Sequence, residues 1–367
     1  MSKDIVYLDV KTLENFMREV FIGMGVPKED AEIITDVLIT SDLRGIESHG
    51  VQRFRMYVNR IKEGIYEPKT KIDVLKDGPT TAFWDGNCGM GHVIAYKAMK
   101  TAIEKAKKYG LGAVAVRNST HFGIAGYYSL MAIKEGMIGF SMTNTRPSIP
   151  PTFSSEPMLG TNPLTFGAPT DEEFPFLLDC ATSIITRGKV ETYARINKSL
   201  PNNAVIDDKG EILRDPNKVL EMMKERKACV LPVGGKGEET AGYKGYGYAT
   251  IVELLCAALQ EGIHLRDTLG VVENGQTRLK VGHFFLAINT ENFAGMDSFK
   301  NTSGDIMRGL RSARKIPGEE RIYTAGEKEY IFEIERRKMG IPLNKSLQDD
   351  IKTIQKELGL DKFNFNF

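Results

Sequence analysis

The chain has 367 residues, enough to bury a large core as two domains or one elaborate one. Its 49 lysines and arginines nearly balance 48 aspartates and glutamates, so no electrostatic footprint points to a nucleic acid or an anionic membrane. Cys88, Cys180, Cys229 and Cys256 are scattered without a CxxC pair, which argues against a zinc ribbon or a disulfide framework; reduced thiols and no metal are expected.

The opening stretch "MSKDIVYLDVKTLENF" lacks a signal-peptide apolar region, and no segment approaches the ~18 apolar residues of a membrane span. A soluble cytoplasmic protein is expected, with small molecules or other subunits as partners. Leu13, Phe16, Met17, Val20 and Phe21 follow the spacing of an amphipathic helix over 10–24, with Asp9 as its N-cap. A second helix follows Pro27 and ends near Gly45, and a third runs from about Val51 to Ile61. From about residue 72, short β-rich runs ("TTAFWD", "GAVAVRN", "MIGFSMTN", "PLTFGAP", "FPFLLDCAT") alternate with helical stretches at 91–108 and 124–135, and "HFFLAIN" closes the series. This alternation predicts an α/β class with a substantially parallel or mixed sheet. Beyond about 300 the chain reads as helix again. Asn344 caps a last helix whose Leu347, Ile351, Ile354 and Leu358 can pack back on the N-terminal helices.

Chemistry concentrates in a few places. His121, in "RNSTHFGIAGYY", stands where a strand hands over to a helix, the edge at which open α/β sheets place ligands. An imidazole there can act as general acid and base near neutral pH, whereas the plainer reading is a loop histidine bonded to backbone. Ser48, His49 and Arg53 lie within six residues in "SDLRGIESHGVQRF", and a helix starting near Val51 would aim free N–H groups at the same space, a combination suited to a carboxylate. The alternative there is Ser48 as an N-cap and Arg53 as a solvated charge. "GTNPLTFGAP" with "DCATS" and Lys244 in "GYKGYG" offer close backbone approach and a cation for a flat ring or a phosphate, or merely tight turns. "GNCGMGH" (86–92) has the spacing G-x-x-G-x-G, not the dinucleotide fingerprint G-x-G-x-x-G, and HExxH, Walker A and GxSxG patterns are missing.

In order, "DLRGIESHGVQR", "RNSTHFGIAGYY", "TNTRP", "LGTNPL", "LDCATS", "RGKV" and "YKGYGYA" resemble the malate/L-lactate dehydrogenase family that is distinct from the Rossmann-type enzymes and includes ureidoglycolate and sulfolactate dehydrogenases and cyclic-imine 2-carboxylate reductases. The resemblance spans about residues 8–345. It implies an α/β, non-Rossmann, mixed-sheet domain for NAD, with NADP an alternative, at 73–299. That domain would be inserted between helical segments 1–72 and 300–367, which form a second domain carrying dimer and substrate contacts. It also implies a homodimer.

By the same resemblance, His121 is the catalytic histidine, and Ser48, His49 and Arg53 contact the substrate. Thr145, Asp179, Cys180, Ala181 and Lys244 contact the cofactor, with Thr161 and Asn162 as additions. The implied reaction interconverts a small 2-hydroxy acid of the malate, lactate or sulfolactate type and its 2-oxo acid. Two features depart from the family pattern: Arg146, which suits a second anionic group on the substrate if it faces the site and leaves lactate-like substrates equal candidates if it faces outward, and the long loop "GGKGEETAGYKGYG". The competing readings are a reductase of cyclic imine 2-carboxylates, a serine hydrolase using Ser48 or Ser119, and a binding protein without catalysis.

Overall fold

A computed structural model of the chain describes residues 5–367. In chain order its strands are β1 (Val6–Leu8), β2 (Asp73–Asp77), β3 (Thr81–Asp85), β4 (Leu111–Ser119), β5 (Met137–Thr143), β6 (Leu164–Ala168), β7 (Phe176–Cys180), β8 (Val205–Asp207), β9 (Ala228–Val230), β10 (Val271–Glu273), β11 (Gln276–Arg278), β12 (Val281–Asn289) and β13 (Ile341–Leu343). The α-helices are α1 (Val10–Gly23), α2 (Lys28–Leu43), α3 (Phe54–Lys62), α4 (Gly91–Tyr109), α5 (Gly126–Lys134), α6 (Arg187–Arg195), α7 (Pro216–Lys224), α8 (Gly242–Ala257), α9 (Met296–Arg311), α10 (Glu327–Met339) and α11 (Lys345–Glu357).

The central sheet has seven strands in the order β2-β3-β4-β12-β5-β6-β7. It is mixed but far from doubly wound. Within it only β3 and β4 pair in parallel, and the late strand β12 inserts antiparallel between β4 and β5. Of the two forms expected, substantially parallel or mixed, the sheet takes the mixed one and is largely antiparallel, because consecutive strands β5, β6 and β7 pair directly without helical crossovers. Helices α4 and α5 pack on the sheet in one buried cluster that joins Ala98 and Ala102 of α4 to Val114 of β4 and Phe285 of β12.

The amphipathic stripe of α1 is buried as its spacing requires, and the Asp9 carboxylate accepts the Thr12 N–H at 2.8 Å. These residues share one core with Ile341, Leu343, Leu347, Ile351 and Ile354, so both ends of the chain build it. β1 and β13 pair antiparallel beside it, and Asn344 caps α11 through the Leu347 N–H. Phe363 and Phe365 meet Phe16 edge-on at 5.3 and 5.1 Å. A third cluster, from Ile149 to Ala249, is gathered around α6, α7, β8 and β9. The third helix begins later than its sequence pattern suggests: residues 47–49 and 51–53 form two 3-10 turns, and α-helix proper starts at Phe54.

Candidate active site

His121 follows the end of β4 and is fixed by the backbone around it. The Gly91 N–H, at the start of α4, donates to the Thr120 hydroxyl at 2.9 Å, and that hydroxyl donates to the Gly89 carbonyl at 2.8 Å. A Cβ on Gly91 would stand 2.1 Å from the Thr120 carbonyl oxygen, so glycine alone permits this approach. On the other side His283 bridges Thr143 Oγ1 (2.9 Å) and Ser119 Oγ (2.7 Å), and its ring stacks on Phe122 with centroids 4.5 Å apart. Nδ1 of His121 lies 2.6 Å from the Tyr57 hydroxyl and 3.3 Å from the Gly123 nitrogen; the tautomer that leaves Nε2 unprotonated carries its proton on Nδ1 and donates it to the Tyr57 hydroxyl. Among the described residues Nε2 has no partner, which leaves it for a substrate. Burial, then the neighbouring His49 and Arg53, holds the His121 pKa well below its ordinary value. The ring is therefore neutral at pH 7.

The Ser48, His49 and Arg53 segment faces this ring. The His49 and His121 centroids are 5.6 Å apart with planes at 22°. Ser48 does not act as an N-cap: its Oγ lies 2.8 Å from His49 Nδ1. Burial and the Arg53 charge push the His49 pKa down to about 4. Arg53 donates from Nε to the Ser48 carbonyl at 2.8 Å, and Gly188 of α6 packs so closely that a Cβ would be 3.1 Å from its guanidinium. Glu191, one turn along α6, stands 3.8 Å from Arg53 and 3.3 Å from Arg187. The free helical N–H expected at Val51 is not free, because the Asp42 carboxylate takes it at 2.7 Å.

Three residues of this cluster escape a reading that stops at "SHGVQR". Tyr57 and Arg60 follow Arg53 at i+4 and i+7, the spacing of one helix face, and that periodicity was the available signal. His92 is fully buried with its ring edge-on to Tyr57 at 4.7 Å, its pKa pushed down to about 3 mainly by burial. Arg60 donates to the Tyr66 hydroxyl and lies over that ring at 5.1 Å. Arg146 is exposed on the loop after β5; desolvation first, and then the Arg60 charge, lowers its pKa. Neither forms an ion pair among the described residues. The site thus has excess positive charge.

The residues expected at the cofactor fall into three settings. The hydroxyls of Thr145 and Thr161 are 3.5 Å apart and partly exposed. Asn162 lies behind them, fully buried: its Oδ1 accepts the Thr145 N–H at 3.0 Å and its amide donates to the Ala249 carbonyl and to Glu253. Its polar atoms are spent holding Thr145 rather than facing open space. Asp179, half-buried on β7, accepts the Gly126 N–H at the start of α5 at 2.7 Å and the Thr165 hydroxyl at 3.2 Å, and burial raises its pKa. Cys180 and Ala181 continue that strand end, partly exposed. Lys244 lies on the first turn of α8, not in the irregular loop its flanking glycines suggest; it is exposed and makes no ion pair among the described residues. An unpaired cation on a helix's first turn and the hydroxyl pair 145/161 form a donor set that fits the phosphates and sugars of a dinucleotide. Among the described residues no cluster of histidine, cysteine and carboxylate could hold a metal.

A neutral histidine with one open nitrogen, set beside an arginine and a serine on a mixed α/β sheet, equips an enzyme for proton transfer on a small carboxylic acid. Comparison with known proteins agrees. Residues 8–352 match the family described as malate/L-lactate dehydrogenase. A malate dehydrogenase of Pyrococcus abyssi is 43% identical over 363 residues, covering 98% of this chain and 97% of that one. An L-sulfolactate dehydrogenase of Methanocaldococcus jannaschii is 39% identical, covering 94% of each. The crystal structure of malate dehydrogenase from Entamoeba histolytica superposes with a TM-score of 0.95 at 42% identity, covering 99% of this chain and 100% of that one. The chain belongs to the malate/L-lactate dehydrogenase family, whose members named here are 2-hydroxyacid dehydrogenases.

Proposed function

We propose that the protein interconverts a dianionic 2-hydroxy acid, of the malate or sulfolactate type, and its 2-oxo acid with NAD, His121 serving as general acid and base. The observation that carries the reading is His121 itself: Nδ1 faces the Tyr57 hydroxyl at 2.6 Å, Nε2 has no partner among the described residues, and the ring stacks on His49 within the field of Arg53. In the oxidative direction Nε2 takes the proton of the substrate hydroxyl; in the reductive direction it returns one to the carbonyl oxygen. Arg53 is the bidentate partner for the 1-carboxylate, and Ser48 with His49 orients the 2-oxygen. The nicotinamide supplies the hydride chemistry when bound, with Thr145, Thr161, Asp179, Cys180, Ala181 and Lys244 as its contacts and Asn162 holding Thr145.

Arg60 and Arg146, cations without a carboxylate partner among the described residues, support a second anionic group on the substrate over a lactate-like methyl. The relatives' names, malate and sulfolactate dehydrogenase, describe dianions of this kind. The cyclic-imine reading uses the same carboxylate contacts but leaves this second pair of charges without a role. The hydrolase reading has a Ser48–His49 contact at 2.8 Å, yet no carboxylate orients that histidine. We read 1–72 with 300–367 as the substrate and dimer-contact unit and 73–299 as the cofactor unit, supported by a core drawn from both chain ends. A cytoplasmic homodimer completes the proposal; no helix among the described residues is long and apolar enough to cross a membrane.

The test is oxidation of NADH and NADPH, followed by absorbance, with oxaloacetate, sulfopyruvate, pyruvate and a cyclic imine carboxylate. Turnover of the first two well above pyruvate, lost in His121→Ala and shifted toward pyruvate in Arg146→Gln, is expected. Turnover of the imine alone would overturn the assignment.

A further inference from the structure

We infer that Asp42 and Arg336 are positioning residues that hold the 47–53 segment in register with His121, so that helix α10, far away in sequence, forms the rear wall of the substrate site. The inference rests on the functional reading above, since it concerns the same Ser48, His49 and Arg53.

Asp42, near the end of α2, is fully buried. One carboxylate oxygen accepts the Val51 N–H at 2.7 Å, in the turn between His49 and Arg53. The other has no hydrogen-bond partner among the described residues. Gly50 presses directly on this group: a Cβ there would fall 2.1 to 2.4 Å from its three carboxyl atoms. The Arg336 side chain, buried on α10, donates to the Asp42 main-chain carbonyl and to the Glu47 carboxylate. It therefore ties the end of α2 to the residue immediately before Ser48. Two neighbours on α10 dock on the same turn: Phe332 fills the space above Gly45, where a Cβ would lie 2.9 Å from its ring, and Glu333 pairs with Arg44 at 3.4 Å.

A polar group placed this way is a poor device for stability alone. A buried carboxyl with an unpartnered oxygen is destabilising, and apolar packing of the same volume would avoid that cost. What the carboxyl supplies is a directed bond to one backbone N–H. That bond fixes where the 3-10 turn begins and hence where Ser48, His49 and Arg53 point. Because a misplacement of about 1 Å costs a reaction up to ~100-fold, a pin at this point acts on substrate geometry.

The experiment compares wild type with Asp42→Ala, Asp42→Asn, Arg336→Ala and Arg336→Lys. It measures KM and kcat for the 2-oxo acid, NADH affinity by fluorescence, and hydrogen exchange of residues 47–53. Asp42→Ala is expected to raise KM by about tenfold or more with NADH affinity unchanged, and to speed exchange at 47–53 relative to α1. Asp42→Asn, which keeps an acceptor for the Val51 N–H, restores KM to near wild type, and Arg336→Lys restores part of what Arg336→Ala loses. If Asp42→Ala does not fold, the Arg336 pair carries the same expectation. Unchanged KM and exchange in the alanine variants would overturn the inference, as would an equal loss of NADH affinity. A wild-type enzyme inactive on every 2-oxo acid would instead refute the functional reading, and the exchange at 47–53 would still decide the positioning role.

Discussion

His121 is depressed in pKa because its ring is buried and because His49, Arg53, His92 and Arg60 surround it with positive or potentially positive groups. The sign of the resulting pH dependence follows directly. Oxidation needs the neutral ring, so kcat/KM for the hydroxy acid stays level through neutral pH and falls only as pH drops through a value below the usual 6.5. Reduction needs the protonated ring, so its kcat/KM rises as pH falls over the same range. Arg60→Gln removes one of the cations that disfavour protonation and is expected to move both limbs to higher pH; profiles that stay put would remove Arg60 from the field at His121. His121→Asn is expected to lower kcat by about 100-fold or more with NADH affinity unchanged, measured by steady-state rates and fluorescence titration. Much of this site was legible in the chain, since an unusual histidine and a compact Ser-His-Arg triplet stand out as residue types. Tyr57 and His92 were not, for a physical reason. A tyrosine and a histidine at core positions carry no local mark separating packing from function, and only the fold brings one hydroxyl within 2.6 Å of His121.

The motif "GNCGMGH" opens a helix after a strand without the spacing of a dinucleotide fingerprint. Its glycines suggest a loop that cradles phosphate, but their spacing does not match, and their contacts supply the reason for them. Gly86 lies where a Cβ would meet Ile94 at 2.8 Å and the Asn118 carbonyl at 3.2 Å, and Gly91 lies against the Thr120 and His121 carbonyls. The start of α4 is thus wedged against the backbone that carries His121. Gly91→Ala forces a methyl into that contact. The expected result is a loss of about 1–3 kcal/mol in stability, read as a lower denaturant midpoint, together with a reduced kcat and unchanged NADH affinity. A destabilised variant with normal kcat would show that α4 supports the fold without aligning His121. Local pattern sufficed for α1, for its Asp9 cap, for α11 and its Asn344 cap, and for the strand runs, because capping and amphipathic spacing are short-range. It could not place β12 between β4 and β5, since that pairing joins His283 to Val116 and Thr143 across more than a hundred residues. Nor could it delay α3 to Phe54, a shift tied to Asp42 rather than to anything in "GVQRF".

At the scale of the molecule, the outer face of α8 presents a row of exposed apolar side chains. Helix α8 is apolar on two sides: Ala249 is buried in the cluster around α6, α7, β8 and β9, Val252 and Cys256 are buried against Met142 of β5, and Tyr248, Ile251 and Leu254 are exposed, Leu254 by 57% and Ile251 by 47%. Leu259, just beyond the helix, extends the same outer stripe. A helix hydrophobic all round is one that is covered all round, and leaving such a row in water forgoes roughly 25 cal/mol for each Å² that a partner would bury. A second copy of the chain is the partner that the proposed homodimer offers, and a twofold axis near α8 would set two such stripes against each other. Lys244 lies on the first turn of the same helix, so the cofactor contact and the subunit contact would be built on one rigid element. Light scattering at micromolar concentration is therefore expected to give twice the 40.9 kDa chain mass. In Ile251→Glu/Leu254→Glu the mass should fall to that of one chain, and NADH affinity should weaken with it, because a helix that loses its cover holds Lys244 less firmly. A monomeric wild type would refute the dimer outright. A dimer that survives both glutamates would move the interface elsewhere and leave the outer face of α8 to some other partner.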